Sequence, residues 1–176
     1  MANFGVVRTD AIKATKAGNI KSGRFYNGAD ATIIENGNIV KLDSLISGQR
    51  DLWKVVVPDG VTTANCYLVA TPEIIYSEEL KSTGALENFR NAAGQNITLM
   101  PLEVGDTFAV SDSAITQING ADNPTVGKYV TPSATGTKFT EVATIAANEV
   151  FYGKIIAREI YRGTKYLNVI EMISVR

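Results

Sequence analysis

Apolar and polar positions alternate in short runs along most of this chain, and the runs are separated by turn residues. The clearest is ATIIENGNIVKL, residues 31–42, in which two apolar runs flank Asn36-Gly37. Asn-Gly accommodates two successive positive-φ residues, so the stretch predicts a hairpin with a type I′ turn. WKVVV (53–57) reads as a strand stopped by Pro58-Asp59-Gly60. NCYLVA (65–70) follows at a distance that predicts pairing back onto it, with Trp53 near Tyr67. After Pro72 the pattern changes, and Thr83 predicts the cap of a short helix over ALENFRNAA, with Gly94 as its stop. Strand patterns return in NITLMPL, DTFAV and SAITQI, then in GKYVT and KFTEV as a hairpin. The chain closes with EVFYGKIIAREIY, the turn Arg162-Gly163-Thr164, and KYLNVIEMISVR. In that last strand Leu167, Val169, Ile173 and Val175 share one face, with Glu171 the exception. The other face carries Tyr166, Asn168, Ile170, Met172, Ser174 and Arg176, which predicts a central or covered strand.

Val, Ile and Thr make up more than a quarter of the 176 residues, the composition of half-buried pleated surfaces. The fold class expected is mainly β: a compact β-barrel or sandwich-like body with antiparallel hairpins, one short helix and an extended N-terminal arm. The arm is assigned to residues 1–26 and the body to 27–176. The arm carries Arg8, Lys13, Lys16, Lys21 and Arg24 against one acid, Asp10, with glycines at 5, 18 and 23. Such a segment buries too little apolar surface to order alone, but orders against a partner. Phe4, Val6, Val7, Arg8, Lys13, Lys16, Lys21 and Arg24 are therefore the expected partner-binding residues.

Overall charge is nearly balanced, with 17 basic and 18 acidic residues. That argues against nucleic acid as a partner, because phosphate contacts call for a basic surplus. No apolar run reaches the ~18 residues of a membrane helix, and the first residues lack a signal-peptide core, so a protein made in a cytoplasm is expected. Histidine is absent, which removes the commonest general base and metal ligand. Cys66 is the one cysteine, so no intrachain disulfide forms, and its apolar surroundings predict a buried strand position. Glu73, Glu78 and Glu79 around Tyr76 read as a solvated rim. Gly105-Asp106 has no second acid close behind it to make a calcium loop. No phosphate-loop glycine pattern occurs. The expectation is a non-enzymatic protein without cofactor or metal.

A β-rich chain with no histidine, a basic extended start and a long terminal hairpin resembles the capsid decoration (head cement) proteins of tailed bacteriophages. NGADATIIENGNIVKL and VGDTFAVSDSAI, with VGKYVTPSATGTKFTEV, are the segments most similar in character to that family. The resemblance implies a structural virion protein on the outer capsid surface that stabilises the shell, docks through its N-terminal segment and has the major capsid protein as partner. It also implies self-association, as a trimer or other homo-oligomer. Two alternatives remain beside it: another head or tail structural protein, and a β-rich binding module for saccharide or a host surface.

Overall fold

In a computed structural model, the described residues are 4–8, 12–60, 64, 66–73, 86–120 and 123–175. The strands run β1 (Lys21–Asn27), β2 (Asp30–Ala31), β3 (Ile39–Leu45), β4 (Leu52–Val56), β5 (Cys66–Val69), β6 (Ile97–Pro101), β7 (Thr107–Ser111), β8 (Ile115–Thr116), β9 (Tyr129–Pro132), β10 (Phe139–Val142), β11 (Phe151–Arg162) and β12 (Lys165–Val175). The mainly β expectation holds.

The first six strands form a sheet of order β2-β1-β4-β3-β5-β6, and β1 also pairs with β6. Five strands thus close a small barrel, with β2 appended to β1. Its interior is Phe25, Val40, Val55, Val69, Ile97 and Leu99, together with Ile34. The second sheet has the order β7-β12-β11-β9-β10-β8. Its two edge strands, β7 and β8, are joined by residues 112–114 alone. Five gaps in a flat sheet would put the edges roughly 24 Å apart. That exceeds the about 14 Å such a link can span, so the sheet must curl on itself.

The two sheets share one core. Ile39, Cys66, Leu68 and Ala70 leave the barrel's outer face to join Phe108, Val110, Val130, Phe139, Phe151, Ile155, Ile170 and Met172 of the curled sheet. The Phe108 and Phe139 rings stack there at 5.9 Å. Adjacent residues of β3 therefore serve different cores, Ile39 one and Val40 the other, and Leu68 and Val69 of β5 do the same. This is why Ile39-Val40 and Leu68-Val69 read as adjacent apolar pairs: where a strand is buried on both faces it has no polar face to alternate.

The Asn36-Gly37 stretch is a corner and not the expected hairpin. Residues 31–34 do not pair with β3; Ile34 bridges to Asn91 instead, and β3 runs between β4 and β5. The cause is a buried polar knot. The Asn36 amide donates to Thr71 O at 2.8 Å, while its Oδ1 accepts from Thr71 N and Asn91 Nδ2, both at 3.2 Å. Gly37 N donates to Val69 O at 2.8 Å, continuing the β3–β5 ladder. Because β3 intervenes, the expected β4–β5 pairing is also absent, and Trp53 faces Leu45 and Gly23 while Tyr67 faces Val40 and Pro101. The Asn91 pairing replaces the expected helix as well. Only Leu86–Asn88 makes a 3-10 turn, and Thr83 lies outside the described residues.

The N-terminal arm, in its described part, lies on the body. Val7 bridges to Val110 and Lys13 to Thr107 along the outer edge of β7, and Val6 and Val7 are each 1% exposed. The boundary at 26/27 falls inside β1, a wall of the barrel. Physically, β7 would otherwise present an unpaired edge over an incomplete core, and the segment supplies both missing parts. The closing hairpin forms as expected, with β12 central between β7 and β11. Its two faces alternate as read: Asn168, Ile170 and Met172 are buried on one, while on the other Leu167 is buried and Ile173 exposed. The sequence pattern carried no sign of the register shift at Tyr152/Gly153, which sets Ser174 and Met172 opposite consecutive residues and leaves Ile173 between them.

Gly37 has φ +78°, and a Cβ on it would lie 3.2 Å from both Ala114 Cβ and Val110 Cγ1. Gly37→Val is therefore expected to cost roughly 2–5 kcal/mol, combining backbone strain with overpacking between the two sheets. Urea unfolding followed by Trp53 fluorescence measures it as a lowered midpoint. An unchanged midpoint would contradict the described corner.

Candidate docking surface

The long β11–β12 hairpin outruns its neighbours. β9 pairs with β11 only at Gly153 and Lys154, and Ile155 adds two backbone bonds to Gly127 and Lys128. Beyond that point no described strand lies along the outer edge of Ile156–Arg162. This reach carries exposed apolar side chains: Ile156 is 42% exposed, Ile160 70% and Tyr166 37%. Register shifts at Ile155/Ala157 and Ile160/Arg162 twist the edge. A bulged, charged edge resists indiscriminate strand addition, which makes it suited to a partner shaped for it.

A polar network stiffens the hairpin from beneath. Arg158 donates to Asp112 Oδ2 at 2.9 Å and Oδ1 at 3.1 Å, and its guanidinium lies 4.7 Å over the Tyr166 ring. Asn168, fully buried, donates to Asp112 Oδ1 at 2.7 Å. Asp112 thus joins the end of β7 to both strands of the hairpin. Lys165 pairs with Glu87, tying the tip to the 3-10 turn. Arg8 approaches Glu159 at 3.8 Å, a half-exposed pair that contributes about 0–1 kcal/mol.

The eight side chains expected to bind a partner separate into two groups. Phe4 and Val6 line a cavity of about 150 Å³ under the hairpin tip with Asp112, Tyr161, Lys165 and Tyr166, and Arg8 reaches Glu159 on β11. Val6 and Val7 are spent on the core. The other four bases stand away from the tip: Lys16 pairs with Glu103 at 2.8 Å, Lys21 sits over Trp53, Arg24 donates to Asn96, and Lys13 is exposed beside Thr107. The hairpin residues were missed by sequence reasoning because Ile156 and Ile160 look like core; their exposure follows from how short β9 is. At about 150 Å³ the tip cavity is smaller than the roughly 300–1,000 Å³ of small-molecule sites.

Two further cavities lie at the other end of the β11–β12 pair. One, about 300 Å³, is lined by Lys16, Lys21, Tyr67 and Glu103; the other, about 400 Å³, by Val104, Glu149, Tyr152 and Ile173. Cys66 borders the first, and burial pushes its thiol up to about 12, reinforced by the Asp59 carboxylate and opposed by Lys41. At neutral pH it is a protonated core group and not a nucleophile. Burial likewise raises the Glu73 carboxyl, against the lowering effect of its bond from Asn36. Glu78, Glu79 and Tyr76 of the expected rim lie outside the described residues. Asp106 is fully buried, and accepts from Thr15 N and Oγ1 at 2.7 Å and from Glu103 N at 2.8 Å, so it pins the turn before β7. No family model, curated protein or solved structure matches the chain.

Asp112→Ala removes the acceptor for buried Asn168 and the partner of Arg158. The expected loss is about 1–3 kcal/mol, the range for an orphaned buried polar group. Amide exchange should speed up in residues 156–168 far more than in β3 and β5. Uniform exchange changes would mean that the network does not hold the hairpin specifically.

Proposed function

We propose that the protein is a structural virion protein of the capsid-decoration kind, a non-enzymatic rigid body that docks on the outside of an assembled phage head. The observation that carries the reading is the projecting hairpin with Ile156, Ile160 and Tyr166 exposed on a braced support. Exposed apolar groups on a rigid strand bind with little ordering cost, and Arg and Tyr at such a patch are frequent anchors. The partner is the major capsid protein, and the basic residues Arg8, Lys13 and Lys16, which are exposed, supply electrostatic steering toward an acidic shell. Self-association on the shell belongs to the same proposal. A second reading, a saccharide-binding module, is favoured by the about 400 Å³ cavity with Tyr152 and Glu149 on its wall.

Sedimentation of the protein with empty capsid shells tests the first reading. Wild type should co-sediment, and the double variant Ile156→Asp/Ile160→Asp should bind roughly 100-fold more weakly, with its thermal midpoint unchanged. Absence of wild-type binding overturns the decoration reading. Normal binding by the variant moves the docking face away from the hairpin. Loss of binding to an immobilised glycan panel on Tyr152→Ala would favour the second reading.

A further inference from the structure

Three Asn-Gly pairs occur in the chain, and two of them, Asn27-Gly28 and Asn36-Gly37, stand in opposite surroundings. In an Asn-Gly pair the glycine nitrogen can attack the asparagine side-chain carbonyl carbon, since glycine has no side chain to crowd it. The new N–C bond closes a succinimide and ammonia leaves. Water then opens the ring at either carbonyl, leaving aspartate or isoaspartate. The step needs a free amide nitrogen, a reachable side-chain carbonyl, and a backbone able to rotate.

Asn36 is denied all three. It is fully buried, its Oδ1 accepts two hydrogen bonds, its Nδ2 donates to Thr71 O and Glu73 Oε1, and the Gly37 N–H is held by Val69 O at 2.8 Å. Asn27 is the reverse case. It and Gly28 are exposed, in the turn joining β1 to the two-residue β2. Gly28 has φ +68° and no atom within 4 Å of where a Cβ would sit. The β1–β2 register is two pairs long and ends at Asn27↔Asp30, so rotation of the turn disturbs little.

We propose that Asn27 is a site of spontaneous deamidation in the folded protein and that the fold protects Asn36 from the same chemistry. Each modified copy gains a negative charge beside Asp30. The isoaspartate product also adds a backbone carbon that breaks the β1–β2 register.

Trypsin releases both pairs in one peptide, Phe25 to Lys41, so each site is the control for the other. The full-length protein is incubated at mildly alkaline pH, digested and sequenced by tandem mass spectrometry, beside the isolated peptide treated identically. The expected result is deamidation rising with time at Asn27 alone in the folded protein, and at both asparagines in the free peptide. Asn27→Gln should leave the folded protein's peptide unmodified. Equal rates at the two sites in the folded protein would overturn the proposal. So would an unmodified Asn27 under conditions in which the free peptide reacts.

Discussion

β5 and the start of β3 are buried on both faces, and the rest of the molecule is arranged around that fact. Ile39 and Leu68 fill the core shared with the curled sheet, while Val40 and Val69 fill the barrel, all four with no exposed surface. Burying such side chains contributes about 1.5–3 kcal/mol each, so the four together supply roughly 6–12 kcal/mol as an upper estimate. That is comparable to the whole net stability of a typical domain, about 5–15 kcal/mol. Separating the barrel from the curled sheet would expose Ile39, Cys66, Leu68 and Ala70 together. The two sheets are therefore one body.

The edges of the body follow from the same arrangement. The barrel closes on itself through β1 and β6 and leaves little edge to protect. The curled sheet cannot close, because β7 and β8 end its two sides, and residues 4–8 with Lys13 cover β7. The longest uncovered reach among the described strands is that of β11. Asp112, Arg158 and Asn168 brace it from one side. The proposed docking role rests on this one braced, partly apolar projection.

Much of this was legible in the chain. The 127–142 and 149–176 hairpins were readable because their turn residues and alternation agree with their tertiary setting. Asn36-Gly37 misled because a local hairpin signal was overruled by a tertiary need, a corner where Asn91 and Thr71 satisfy a buried amide. Among the described residues of the expected helix, 86–93, the Ile34–Asn91 bridge took its place for the same reason. The last strand's alternation held, but the extra residue at Ile173, set by the register shift at Tyr152/Gly153, left no mark in the pattern. Of the docking residues, Phe4 and Arg8 do border the hairpin end. The braces were not readable, since Arg158 and Asn168 lie 46 and 56 residues from Asp112 and no local pattern joins them.

Differential scanning calorimetry tests the shared core most directly. One body joined through β3 and β5 should unfold in a single transition whose calorimetric enthalpy equals its van't Hoff enthalpy. Two resolved transitions, or a calorimetric enthalpy well above the van't Hoff value, would show that the barrel and the curled sheet unfold separately and would contradict the account.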